Sequence, residues 1–144
     1  MTATEGYFIE DLKPGVSASF AKTVSEADIV LFAGVSGDTN PVHLNQAFAE
    51  QTQFKGRIAH GMLSAGFIST VLGTKLPGPG SIYMSQTLRF KAPVKIGDTV
   101  TATCTVTEVI PEKRRAILST ICKVGDTVVI EGEAMVMAPR RSEK

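Results

Sequence analysis

Two histidines, His43 and His60, are the only imidazoles in the 144-residue chain, and Asp38 stands five residues before the first. A carboxylate and an imidazole that grip one water from two sides meet the requirement for general acid–base catalysis. On a straight α-helix this spacing would point the two side chains roughly 140° apart. Pro41 keeps a helix from running through, and it biases Asn40 toward an extended backbone. The stretch Phe32-Ala-Gly-Val-Ser-Gly-Asp-Thr-Asn-Pro-Val-His43 therefore predicts a loop entering a new helix at about Pro41, where Asp38 and His43 can converge. The same run also suits an ordinary turn before a Pro-started helix, with Asp38 as its cap and His43 half-buried. A second stretch, Ile58-Ala-His-Gly-Met-Leu63, tips the balance by setting another His-Gly pair ahead of an apolar helix.

The elements that must hold these residues follow from periodicity. Residues 16–24 alternate loosely and predict a first strand. Ser25-Glu-Ala-Asp28 offers a capping serine and an acidic first turn for a helix over 26–34, with Ile29, Phe32 and Ala33 on one face. A short helix is expected from Pro41 to Gln51. Residues 58–75 are apolar or small nearly all round, which predicts a buried helix, stopped by Leu76-Pro-Gly-Pro-Gly80. Everything after that reads as strand: 82–94, with Ile82, Met84, Leu88 and Phe90 on one face; 99–110, with Val100, Ala102, Cys104 and Val106 together; then 115–124 and 127–138 about a Gly125-Asp126 turn. One apolar helix followed by long strands predicts an α+β domain over 1–139 whose antiparallel sheet wraps that helix. Residues 140–144 read as a frayed polar tail.

Composition excludes several functions. With 15 basic and 14 acidic residues, the chain lacks the charge excess of a nucleic-acid or membrane-surface binder. No run approaches the ~18 apolar residues of a membrane span. Met1-Thr-Ala-Thr-Glu-Gly6 has neither a basic start nor an apolar signal core, which predicts a cytoplasmic chain. Cys104 and Cys122 fit no zinc motif and are expected as reduced core thiols. Two histidines without a supporting carboxylate cluster make a poor metal site, and neither a P-loop nor a nucleophile elbow is present. No cofactor is expected.

Phe32-x-x-Val35-Ser36-Gly37-Asp38-x-Asn40-Pro41-Val42-His43, with Ala49 beyond it and Ala59-His60-Gly61-Met62-Leu63 downstream, resembles the signature of the hydratase-2 or MaoC-like family over nearly the whole chain. The closest likeness is to its short R-specific enoyl-CoA hydratases. The resemblance implies a hotdog fold, a curved antiparallel sheet around one long central helix. Residues 25–51 would form an overhanging segment that carries the catalytic loop, and the chain would be a homodimer with a site near each subunit boundary.

The reaction so implied is reversible, R-specific hydration of a trans-2-enoyl-CoA to a 3-hydroxyacyl-CoA. A water must be oriented and deprotonated as it attacks C3, a proton must reach C2, and the thioester oxygen must be stabilised as it gains enolate character. Asp38 and His43 jointly hold the water in this reading, without a decision on which takes the first proton. The backbone N–H of Gly61, at the positive end of the buried helix, is assigned to the oxyanion. Asn40 and His60 are placed around the substrate, Asn40 chiefly to orient the loop and His60 to donate to it or to cap the helix. Met62, Leu63, Gly66 and Phe67 are candidates for the acyl lining, and Arg57, Arg89, Lys91 and Lys95 are cations that could meet CoA phosphates. Two other readings stay open: a 3-hydroxyacyl-acyl-carrier-protein dehydratase subunit, and a non-catalytic hotdog protein that binds acyl thioesters. Chain length and pathway, storage-polyester supply or fatty-acid oxidation, are not legible.

Overall fold

The structure, a computed structural model, describes residues 6–141; the expectations for residues 1–5 and 142–144 lie outside it. In chain order the elements are β1 (Ser17–Thr23), α1 (Glu26–Ser36), α2 (Pro41–Leu44), α3 (Gln46–Glu50), α4 (Gly61–Thr74), β2 (Ile82–Phe90), β3 (Thr99–Ile110), β4 (Arg115–Val124) and β5 (Thr127–Met137). The strands form one antiparallel sheet in the order β1-β3-β4-β5-β2, and α4 packs against all five of them. Five flat strands would be about 19 Å across at their usual spacing, against about 10 Å for a helix. A sheet that touches one helix with every strand has to curl around it, which is the hotdog arrangement.

Period-2 patterning builds the middle of the sheet. Val100, Ala102, Cys104 and Val106 of β3 and Ala116, Leu118, Thr120 and Cys122 of β4 all turn inward and are buried. The outer face is polar, and hydroxyls pair across β1 and β3: Ser17 with Thr105, Ser19 with Thr103, Thr23 with Thr99. Each large inward side chain, such as fully buried Leu118, contributes about 1.5–3 kcal/mol by leaving water. Both cysteines are free and buried. Burial pushes the Cys104 thiol up to about 12, helped by nearby Cys122, and the Cys122 thiol up to about 11, so neither is a nucleophile at neutral pH.

Four expectations need correction. Helix α4 is not enclosed all round: Met62, Gly66, Ser69 and Gly73 are exposed, a stripe that the sheet, covering one side, leaves open. In β2 the inward phase breaks at Met84, a bulge between Tyr83 and Ser85. Leu88 and Phe90 share a face with Gln86 and, across the bulge, with Tyr83 rather than with Ile82, because Tyr83 pairs with buried Val136 and Ile82 with Met137. The short helix beginning at Pro41 is two helices, broken at Asn45, whose side chain accepts from Phe48 N–H to cap α3. Finally, Arg140 and Arg141 do not fray: Arg140 donates to the Glu112 carbonyl, and Arg141 pairs with Asp11 and lies over the Phe8 ring.

Among the described residues no helix is long and apolar enough to cross a membrane.

Candidate active site

The overhang between β1 and α4 is built from caps. Ser25 accepts from Asp28 N–H while the Asp28 carboxylate accepts from Ser25 N–H, closing a capping box at the start of α1. Lys22 also bonds that carboxylate, and these contacts hold Asp28 below its usual value, the Lys22 hydrogen bond most of all. Helix α1 ends at Gly37, whose φ of 80° suits glycine as a left-handed cap. Ser36 Oγ then donates to the Phe32 carbonyl and accepts from Asp38 N–H. Asp38 Oδ1 accepts from Asn40 N–H, and Asn40 Oδ1 accepts from Val42 N–H, which caps α2 just ahead of Pro41. Asn40 is thus spent on the loop.

These turns deliver a cluster. The ligand atoms of Asp38, His43 and His60 all lie within 4.8 Å of one another. One water at about 2.8 Å from each of two groups spans such a gap. The His43 Nδ1 lies 2.8 Å from the Ile58 carbonyl. A carbonyl only accepts, so Nδ1 carries the hydrogen, and in the neutral ring Nε2 is left as a base. By the same reasoning His60 Nε2–H donates to the Asp38 carbonyl, at 2.9 Å. The two imidazoles stack, 3.9 Å apart and 27° from parallel, and Phe32 packs on His60 at 4.8 Å. His43 is 8% exposed and His60 2%, whereas Asp38 is exposed.

A carboxylate therefore does join the two histidines, so the metal question rests on geometry. One nitrogen of each ring already donates to a carbonyl. Imidazole binds a metal in its own plane, and two stacked, nearly parallel rings have no common in-plane point at a bonding distance of about 2.0–2.1 Å. The cluster suits protons and water, not a cation.

Beside it opens a cavity of about 500 Å³. Asp38, His60, Gly61 and Met62 line it together with the apolar side chains of Phe90 and Ile130, and Lys91 contributes a charge. Gly61 is the first residue of α4, and His60 makes no side-chain cap there; as in any helix, the Gly61 amide has no partner within the helix. A Cβ on Gly61 would come within 2.6 Å of the Phe90 ring; with the ring where it stands, glycine lets it lie directly against the helix tip. His43 belongs to the cluster but, like Asn40, Leu63 and Gly66, is not among the residues that line the cavity.

Arg57 was grouped by sequence with possible phosphate contacts, and the structure turns it inward. Its Nε donates to the His43 carbonyl at 2.6 Å and its Nη1 to Glu26 at 2.6 Å. The side chain is 11% exposed and ties the start of α1 to α2. Phe90 as the packing partner of Gly61 also escaped the sequence reading. Neither has a local signal, since the partners lie 14 and 29 residues away.

Residues 11–133 match the family described as MaoC like domain. The chain belongs to that family. Among curated MaoC-like relatives, the (R)-specific enoyl-CoA hydratase of Rhodospirillum rubrum is 65% identical over 135 residues, covering 94% of this chain and 94% of the relative. Among solved structures, the unliganded R-hydratase PhaJ1 from Pseudomonas aeruginosa superposes with a TM-score of 0.90 at 47% identity, covering 94% of this chain and 88% of that one. The (R)-hydratase from Aeromonas caviae gives 0.88 at 44% identity, covering 90% and 99%. These MaoC-like proteins share the sheet wrapped around one helix.

Proposed function

We propose that the protein is an R-specific enoyl-CoA hydratase that adds water across a trans-2-enoyl-CoA to give the (R)-3-hydroxyacyl-CoA. The observation that carries this reading is the meeting of Asp38 and His43 beside a cavity that reaches the tip of α4. The names of the Rhodospirillum rubrum, Pseudomonas aeruginosa and Aeromonas caviae relatives support it. The carboxylate of Asp38 and Nε2 of His43 hold one water between them. As its oxygen attacks C3, one of the two takes a proton, and a proton returns to C2 from the same side, so addition is syn. The Gly61 N–H, free of a side-chain cap, receives the thioester oxygen as enolate charge grows, where the helix dipole favours it. Met62 borders the acyl group, and Lys91 offers charge to the CoA phosphates.

The working unit in this reading is a homodimer joined through β2. That strand is an edge of the sheet, and Ile82, Met84 and Phe90 on it are exposed, as is Met62 on α4. An apolar open edge is a template for a second copy. Phe90 and Met62 also line the cavity, so the partner would help to close it. The two free cysteines suit the reducing cytoplasm.

The test is loss of enoyl absorbance with crotonyl-CoA and a longer homologue, with chiral analysis of the product and sedimentation of the active species. An S-configured product, or full turnover by a monomer, would refute the corresponding part. Turnover confined to acyl-carrier-protein thioesters would replace the CoA reading with the dehydratase-subunit one. A bound but unreacted thioester would point instead to the non-catalytic binder.

A further inference from the structure

Asp38 stands on an exposed link between two helices. Its bonds to Ser36, the last residue of α1, and to Asn40 reach only two residues along the chain, so they shape the loop without tying it to a distant segment of the fold. One hydrogen bond does that: His60 Nε2–H to the Asp38 carbonyl, spanning 22 residues. His43 has a related problem. Its Nδ1–H bond to Ile58 pins one corner of the ring, while χ2 of a histidine is soft and lets the ring swing about that corner. The stacked face of His60, 3.9 Å away, removes this freedom. His60 itself is sealed, at 2% exposure, with Phe32 against it.

We infer that His60 is a positioning residue for both groups of the dyad, acting on Asp38 through its hydrogen bond and on His43 through its ring face. This replaces the roles of substrate contact and helix cap. It rests on the hydratase reading given above. The ring's other nitrogen favours it further. Among the described residues Nδ1 is buried without a partner, although the uncapped amides of α4 begin one residue away. An unmet buried acceptor costs about 1–3 kcal/mol, and a ring serving as a cap would have turned to meet those amides. The orientation observed is the one that reaches Asp38.

Two substitutions separate the two contacts. His60→Phe keeps a ring face and removes the donor; His60→Gln keeps an N–H donor and removes the face. Either leaves His43 as the sole histidine, so every imidazole proton signal in an NMR spectrum of the variant belongs to it. For His60→Phe we expect kcat for crotonyl-CoA to fall about 10- to 100-fold, the scale of a misplacement of about 1 Å, with KM changed by less than about threefold. His60→Gln should lose less than about tenfold in kcat, while its His43 signals move toward free-histidine positions. In His60→Phe those signals should stay displaced. A rise in KM with kcat intact marks a substrate contact and overturns the inference, as does wild-type kcat in both variants with unmoved His43 signals. Should His60→Phe fail to fold, the kcat of His60→Gln and its His43 spectrum decide alone. Asp38→Ala in the same assay separates the two levels. If the wild-type chain does not hydrate crotonyl-CoA, the hydratase reading itself fails; if it does and Asp38→Ala retains that turnover, the dyad fails; if Asp38→Ala loses turnover while His60→Phe does not, only the positioning role fails.

Discussion

The β3–β4–β5 meander and the overhang of residues 25–60 are held together by different means. In the meander, backbone ladders run nearly unbroken and inward side chains are 0–1% exposed. In the overhang, side chains bond to backbone: Ser36, Asp38, Asn40 and Asn45 locally, and His43, Arg57 and His60 across 14 to 22 residues. A ladder repeats one interaction many times and tolerates local loss. The overhang rests on single bonds, each with its own geometry, and that lets a carboxylate and an imidazole be set at a chosen spacing. The sheet supplies stability, and the overhang puts it to chemical use.

The contrast is broken most severely at the dyad. Asp38→Ala and His43→Ala should each lower kcat/KM on crotonyl-CoA by about 10²-fold or more, and Asp38→Ala should do so with thermal stability nearly unchanged because Asp38 is exposed. Wild-type turnover by both would remove the proton-transfer assignment. The reverse pattern belongs to the sheet: Leu118→Ala should cost about 2–5 kcal/mol in chemical denaturation, while the folded fraction keeps its kcat. A kcat loss as large as that of the dyad variants would mean the two regions are not separable.

Smaller effects sharpen the boundary. Gly61→Ala should push the exposed Phe90 ring aside at a stability cost of no more than about 1 kcal/mol while lowering activity, and Phe90→Leu in the same chain should recover part of that activity; no recovery would locate the damage elsewhere. Arg57→Met should lower kcat more than it lowers Tm, whereas Glu26→Gln, which alters a 65% exposed partner, should change neither by much, since such pairs are worth about 0–1 kcal/mol. Equal effects of the two would show that the ion pair, not the bond to the His43 carbonyl, is the clamp. The smallest effect concerns Asp28. Its folded pKa lies below 3.8, so its stabilisation is complete above the unfolded value and is lost as pH falls through the folded one. The stability gap between wild type and Asp28→Asn, measured by urea titration, should therefore narrow below pH ~3.8; a constant gap would exclude the ionised cap.

Much of the fold could be read locally. Alternation in 99–110 and 115–124 reproduces the bounds of β3 and β4 to the residue, because the inward positions up to Val106 in β3 and Cys122 in β4 repeat at period 2 before each register shifts. The same rule failed in β2, where the Met84 bulge shifts the phase and no residue type announces it. Asp38, His43 and Gly61 stood out by type, spacing and the break at Pro41, and the structure gathers Asp38 and His43 into one cluster beside the cavity that Gly61 lines. Arg57 did not stand out: a cation bound to a backbone carbonyl looks, in sequence, like one facing solvent.

The amino-acid order by itself determined which residues could do chemistry, where the helices start and stop, and that one apolar helix precedes a run of strands. These depend on neighbours a few positions apart, through caps, proline and side-chain period. Tertiary structure alone decided that His60 stacks on His43, that the Phe90 ring lies against Gly61, and which face of α4 stays open. Those outcomes depend on contacts between residues far apart in the chain, up to the 58 positions between Ser64 and Cys122, whose distances are set by how the sheet curls, and no local propensity encodes that curvature.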